Sequence, residues 1–339
     1  MTMKLYEGDS YQILAQMAER GEQVESVVCD PPYGLLSIVK RFGKKDSKAA
    51  KYGSDGAFSR ASKGFLEHTW DGTGVERDVE FWKLVNAVLL PGGYIVAFSS
   101  ARTYHHMAVA IENAGFVTHP MIGWAYGSGM PKAHNPGVKG FEGWRHGGQV
   151  RKPALEPIYV GQKPYEEGSV KRNIEKYGVG AVNIEGVMIP SESGDDRWPA
   201  NLITDGSDEV AALLPDSTGG NAIRFFEQYP NPFDGEPLIY NPKATRIERN
   251  GSDHATVKPI ALMRSLVRHV TPPGGTVLDP FAGTGTTGVA ADLEGVNSIM
   301  IEAQSSYADD IRRRFATLSP EAEAYLEAIA GEREDEHQL

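Results

Sequence analysis

The chain has 339 residues, with 34 Lys and Arg against 45 Asp and Glu, a formal net charge of −11 at pH 7 and a single cysteine. That length buries a large core and allows roughly one to three domains. No apolar stretch is long enough to span a bilayer, Met1-Thr2-Met3-Lys4-Leu5 lacks the charged start and apolar run of a signal peptide, and Cys29 alone excludes an intramolecular disulfide or a cysteine-built zinc cluster. A cytoplasmic protein is expected.

Leu5-Tyr6-Glu7-Gly8-Asp9 reads as a short strand ending in Gly-Asp, followed by an amphipathic helix over residues 9–18. Asp9 suits a turn or a helix cap there. A strand over 26–29 then runs through Val27-Val28-Cys29 into Asp30-Pro31-Pro32-Tyr33. Proline has a fixed φ and no N–H, so the carbonyls of this tetrapeptide keep a set direction. Asp30 and the Pro31 carbonyl are placed to accept both hydrogens of an exocyclic –NH2 group, and the Tyr33 ring to cover a planar heterocycle. Cys29, inside the strand, reads as a small buried residue.

Residues 36–66 hold eight Lys and Arg (Lys40, Arg41, Lys44, Lys45, Lys48, Lys51, Arg60 and Lys63) against Asp46 and Asp55, a net +6. The local field, not the total charge, decides attraction to a polyanion, so this Gly/Ser/Lys-rich segment is a candidate for phosphate contacts beside Tyr33. A helix over 80–90 follows, with Phe81, Leu84, Val85 and Val88 on one face, and Leu90-Pro91-Gly92-Gly93 reads as its stop before a strand over 94–99. A further helix over 104–114 closes at Gly115. Helix, strand and helix in that order form a crossover unit of a parallel sheet.

The aromatic, glycine-rich stretch Gly123-Trp124-Ala125-Tyr126-Gly127-Ser128-Gly129-Met130-Pro131-Lys132 precedes a strand-like Lys152–Val160 segment. Residues 165–250 are rich in Gly, Pro, Asn and Asp, with Asn183, Arg197-Trp198-Pro199-Ala200-Asn201 and Arg224-Phe225-Phe226 as their distinctive points. Arg and aromatic residues there are suited to stacking or to base edges, and equally to core and surface. His254-Ala255-Thr256-Val257-Lys258-Pro259 opens a helix over 260–270, and Pro259 fits its first turn. Gly274 to Ala291 then reads as strand, glycine-rich turn and helix, with Asp279-Pro280-Phe281-Ala282-Gly283-Thr284-Gly285-Thr286-Thr287 at the turn. Gly283 and Gly285 admit a ligand close to the backbone, and the helix points its N-terminus into the same crevice. Ser298-Ile299-Met300-Ile301-Glu302 is the next strand, and a carboxylate at its end suits two ribose hydroxyls. The last stretch, 319–339, carries seven acids against Arg333 and is expected to be a solvated, disordered tail.

Asp30-Pro31-Pro32-Tyr33 and Asp279-Pro280-Phe281-Ala282-Gly283-Thr284-Gly285 resemble the motifs of the DNA amino-methyltransferases, and their order along the chain resembles the beta group. The resemblance implies a doubly wound, Rossmann-like α/β sheet carrying S-adenosylmethionine, with an inserted target-recognition region. It divides the chain into a catalytic half (1–134), a target-recognition region (135–250), a cofactor half (251–318) and the tail. The implied catalytic residues are Asp30, Pro31, Pro32 and Tyr33. The implied cofactor residues are Asp9, Lys258, Pro259, Asp279, Phe281, Ala282, Gly283, Thr284, Gly285, Thr286 and Glu302. DNA is the implied partner, met by Lys40, Arg41, Lys44, Lys45, Lys48 and Lys51, in a bacterial or phage-infected cell. A second copy of the chain and a cognate restriction enzyme are further partners in such a setting. No metal is called for. In that family Asp at the first motif position is commoner among adenine-N6 enzymes and Ser among cytosine-N4 enzymes, so adenine is favoured over cytosine. A silent DNA-binding protein on the same fold is the rival from another class.

Overall fold

The computed structural model describes residues 2–34, 74–191, 194–217, 220–229 and 257–316. Nine strands form its main sheet: β1 (Met3–Glu7), β2 (Val24–Cys29), β3 (Leu89–Phe98), β4 (Val117–Ala125), β5 (Leu155–Gln162), β6 (Leu202–Thr204), β7 (Glu227–Gln228), β8 (Thr276–Asp279) and β9 (Asn297–Glu302). Their order across the sheet is β1-β9-β8-β2-β3-β5-β4-β6-β7. Every pairing is parallel except the two made by β5, which runs antiparallel to both β3 and β4. The longer helices among the described residues are α1 (Ser10–Glu19), α2 (Val79–Val88), α3 (Tyr104–Asn113), α4 (Val170–Tyr177), α5 (Ile260–Val270), α6 (Thr286–Leu293) and α7 (Ser305–Ala316).

The strands are apolar on both faces because both are covered, as parallel sheets require. Val27, Cys29, Ile95, Ala97, Leu278, Ile299 and Ile301 pack with Leu14, Met17, Phe81, Trp82 and Ile111 of α1, α2 and α3. Their alternates Val28, Val96, Phe98, Val277 and Ile158 pack with Leu262, Leu266 and Val267 of α5 and Ala290 of α6. Period-two alternation thus distributes each strand between two cores. The expected doubly wound α/β fold is present. Among the described residues no helix is long and apolar enough to cross a membrane.

Pro91-Gly92-Gly93 does not separate a helix from a strand as expected. Helix α2 stops at Val88, and β3 begins at Leu89 and runs through the Pro-Gly-Gly to Phe98. The reason is local crowding. Gly92 has a φ of +86°, and a Cβ on Gly93 would lie 2.7 Å from the Glu25 carbonyl oxygen. Glycines therefore carry β3 past a register irregularity against β2, between Val24 and Ser26.

The span 135–250 is divided by the sheet. Its strand β5 lies between β3 and β4, so it belongs to the same sheet as the catalytic half. Residues 126–154 connect β4 to β5 at the edge where the parallel strands end, since Ala125 pairs with Leu155. Residues 163–191 and 194–201 return along the opposite edge. There the Lys163 ammonium donates to the carbonyls of Asn86 and Leu89, both at 2.7 Å, and Asn183 N–H donates to the His269 carbonyl at 2.8 Å. Arg197 and Trp198 belong to that far edge.

Candidate active site

Asp30 leaves the carboxyl end of β2, and Pro31 and Pro32 keep the chain from turning into a helix. The far end of the tetrapeptide is held by the Thr103 hydroxyl, which donates to the Tyr33 carbonyl at 2.7 Å. Gly34 follows with a φ of +60°, and a Cβ there would lie 2.2 Å from Glu76 Oε1. Only glycine fits that corner.

Lys258, just ahead of α5, is brought onto this corner. Its Nζ pairs with Asp30 Oδ2 and donates to Tyr33 Oη at 3.0 Å. The Tyr33 hydroxyl donates in turn to Glu156 Oε2 at 3.2 Å, and Lys258 Nζ is 3.8 Å from that oxygen. The ammonium also sits 4.7 Å from the Phe98 ring centroid and 5.3 Å from that of Tyr33, within the range of attraction to an aromatic face. Lys258 is only 4 % exposed, and burial pulls its ammonium below the usual range while the Asp30 carboxylate works against that shift. Asp30 Oδ1 is buried and has no hydrogen-bond partner among the described residues. A buried acceptor without a donor is costly, so this corner is one N–H short of being satisfied.

The second cluster forms at the ends of β8 and β9. Asp279 Oδ1 accepts from the Phe281 N–H at 2.9 Å, and Oδ2 accepts from the Thr287 hydroxyl. Burial pushes the Asp279 carboxyl up to about 7, against these two hydrogen bonds and with the Asp30 and Glu302 charges adding to the rise. Gly283 and Gln304 N–H groups donate to the two oxygens of Glu302, each at 2.8 Å. Each carboxylate oxygen retains a second lone pair for a ligand hydroxyl. Gly285, with a φ of +80°, caps α6, whose first residues, Thr286 and Thr287, are buried. Thr284 and Ala282 are buried too, and Phe281 packs on the Phe81 ring at 5.1 Å. Pro259 is the cap of α5. Asp9 caps α1 by accepting from the Gln12 N–H at 3.1 Å, and its neighbour Ser10 donates to the Pro280 carbonyl at 2.6 Å, tying α1 to the glycine loop.

The Asp279 carboxyl binds a proton more readily in the folded chain than in the unfolded one, where an Asp titrates near about 4. Between about pH 4 and 7 the folded state therefore holds the extra proton, and stability falls as pH rises through that window, by at most about 1.4 kcal/mol per pH unit. Asp279→Asn is expected to remove this slope. Urea unfolding of both proteins across that window checks it, and parallel profiles would show that Asp279 titrates normally.

The two clusters meet because β2 and β8 are neighbours, and Lys258, just ahead of α5, reaches Asp30 across 228 positions of sequence. A family model described as DNA methylase, of the N6/N4 type, matches residues 24–313. The chain belongs to that DNA methylase family. Type II methyltransferase M.HindIII of Haemophilus influenzae is 25% identical over 291 residues, spanning 79% of this chain and 81% of the relative. In structure the chain is similar to a putative DNA modification methylase of Thermus thermophilus, at a TM-score of 0.50 and 21% identity, covering 94% of this chain and 96% of the other. It is also similar to the cytosine-N4-specific PvuII DNA methyltransferase, at a TM-score of 0.51 and 19% identity, covering 95% and 90%. These structural likenesses support the fold.

Three residues of this methylase's site were not singled out by sequence reasoning. Glu156 and Phe98 join the Asp30 corner from β5 and β3. Arg314 of α7, 5 % exposed, donates to the Thr284 carbonyl at 3.0 Å and the Thr286 hydroxyl at 3.2 Å, bracing the glycine loop from behind. Glu156 stood in a recognised strand segment, but nothing local marks Arg314. The methylase buries Cys29 completely, and burial pushes its thiol well up, away from nucleophilic use. The basic residues Lys40, Arg41, Lys44, Lys45, Lys48 and Lys51, together with His254 to Thr256 and the 319–339 tail, lie outside the described residues.

Proposed function

We propose that the chain transfers a methyl group from S-adenosylmethionine to the exocyclic N6 of adenine in a nucleotide flipped out of DNA. The observation that carries this reading is the buried, unpartnered Oδ1 of Asp30 beside the Tyr33 ring. Lys258 occupies Oδ2, so the oxygen left to meet a ligand is an acceptor, the partner an amino group needs. A base inside a duplex cannot reach such a corner, and extrusion costs a few kcal/mol. Tyr33 stacking offsets part of that. Asp30 and the Pro31 carbonyl hold the two amino hydrogens and draw the nitrogen toward tetrahedral geometry, with its lone pair turned to the glycine-loop side. S-adenosylmethionine, held on residues 279–286 and Glu302, supplies an electrophilic methyl. Rate comes from positioning and from negative charge placed where positive charge grows on nitrogen. Lys40 to Lys51 are assigned to phosphates, and a cytoplasmic setting goes with this reading.

Incubation with labelled S-adenosylmethionine and mixed-sequence duplex, followed by digestion to nucleosides and mass analysis, tests it. N6-methyladenine is the expected product. N4-methylcytosine would keep the site chemistry and overturn the base, because both bases present the same –NH2. No label in DNA, with S-adenosylmethionine still bound, would overturn the substrate.

Glu302→Gln is expected to weaken S-adenosylmethionine binding about ten- to hundredfold, since an amide leaves one of the two backbone donors without an acceptor. Calorimetry reads the loss. Unchanged affinity would remove Glu302 from the cofactor site.

A further inference from the structure

Among the described residues, two long excursions leave the main sheet beyond β4, and only one of them faces the catalytic corner. Residues 163–191 and 194–201 fold back along the amino edge of the parallel strands, where Asn173 Nδ2 donates to the Pro91 carbonyl at 2.7 Å. Residues 126–154 emerge from the carboxyl edge, next to Glu156, which touches Tyr33. They carry Lys132, Lys139, Arg145, Arg151 and Lys152 against one acid, Glu142, a net +4 in a chain whose total is −11. Glu142 is turned onto its own backbone, accepting from the Gly140 N–H at 2.9 Å. All five cations are exposed.

The excursion is a built element. At its base Gly127 N–H donates to the buried Asp205 carboxylate at 2.7 Å, and Tyr126 N–H to the Ala154 carbonyl at 3.1 Å. A Cβ on Gly129 would lie 1.8 Å from the Pro153 carbonyl oxygen, so the two limbs touch there. Lys132–His134 and His146–Gln149 then pair as an antiparallel stem. At the tip Phe141 and Trp144 hold their rings 5.5 Å apart, and Trp144 is 64 % exposed. Arg145 Nη1 donates to the carbonyls of Glu142 and Trp144, fixing the tip. Exposed aromatic rings among cations, with one screened acid, suit a phosphate backbone and the π-face of a base together.

We propose that residues 126–154 form a DNA-docking arm, with Lys139, Arg151 and Lys152 on phosphates flanking the flipped nucleotide and Trp144 stacked on a base. The inference rests on the reading of DNA as substrate. It places the docking surface on this arm and leaves Arg197 and Trp198, at the far edge, out of it.

The test compares the full-length chain with Lys139→Ala/Arg151→Ala/Lys152→Ala and with Trp144→Ala, measuring duplex affinity across a salt series, S-adenosylmethionine affinity and urea unfolding. Each phosphate that is no longer neutralised lowers the slope of log affinity on log salt by about 0.9, so the triple variant is expected to drop by roughly one to three units of slope. Trp144→Ala is expected to bind duplex about ten- to hundredfold more weakly at unchanged slope. Both keep wild-type cofactor affinity and unfolding midpoint, because these side chains are exposed. A triple variant with the wild-type slope, or a Trp144→Ala with wild-type affinity, overturns the arm while wild-type methylation of DNA stands. A wild-type chain that binds S-adenosylmethionine but no duplex overturns the arm and the substrate reading together.

Discussion

Asp30→Ala is expected to lower the rate of methyl transfer at saturating substrates by about 10²–10³-fold, the size of loss seen when one preorganised electrostatic partner is removed from a transition state. S-adenosylmethionine affinity is expected to persist, because the glycine loop is braced by Glu302 and Arg314 and not by Asp30. Asp30→Asn is expected to fare little better. Lys258 donates to Oδ2, so the amide oxygen of Asn would turn to the ammonium and its NH2 would face the substrate amino group, donor against donor. Single-turnover rates with labelled cofactor, read beside calorimetry, check both variants. A rate within about tenfold of wild type, or about 1.4 kcal/mol of barrier, would remove Asp30 from the chemistry.

Lys258→Met is expected to destabilise the chain by about 3 kcal/mol, the low end for breaking a buried ion pair from one side, because the Asp30 side chain keeps 21% exposure. The loss comes from leaving Asp30 near the buried Asp279 without a counter-charge. The double variant Lys258→Met/Asp30→Asn removes both charges and is expected to recover most of that stability. Urea unfolding of the two single variants and the double closes the cycle. Additive losses would mean that the pair contributes nothing jointly, and that Lys258 serves Tyr33 and Glu156 alone.

The electrostatic contrast between the two clusters explains why both carboxylates tolerate one crevice. Asp30 has a full cation on one oxygen, whereas Asp279 has a backbone N–H and a hydroxyl and is held near neutrality by burial. Two adjacent uncompensated carboxylates would repel strongly in such a place. The arrangement leaves Asp30 Oδ1 buried and without a donor among the described residues.

Much of this site was legible in the linear chain because its chemistry is local. A strand running into Asp30-Pro31-Pro32-Tyr33 and a strand running into Asp279 and Gly283 each bring backbone geometry and functional group together within a few residues. Period-two and helical apolar patterns likewise placed the strands and helices of both halves. Where local signals had two outcomes, packing chose between them. Pro91-Gly92-Gly93 stops a helix or relieves a crowded strand, and the approach of Glu25 to Gly93 made it the second. Asp9 suits a turn or a helix cap, and it caps α1.

What the amino-acid sequence by itself determined is the pair of local motifs that line the crevice, Asp30 to Tyr33 and Asp279 to Gly285, since these are written in contiguous residues. Tertiary structure alone decided that Lys258 neutralises Asp30, that Glu156 and Arg314 join the site, and that residues 126–154 rise beside it while Arg197 and Trp198 lie at the far edge. The physical reason is strand order. Placing β8 against β2, and turning β5 antiparallel between β3 and β4, sets which distant segments share an edge, and no local pattern in the chain encodes that choice.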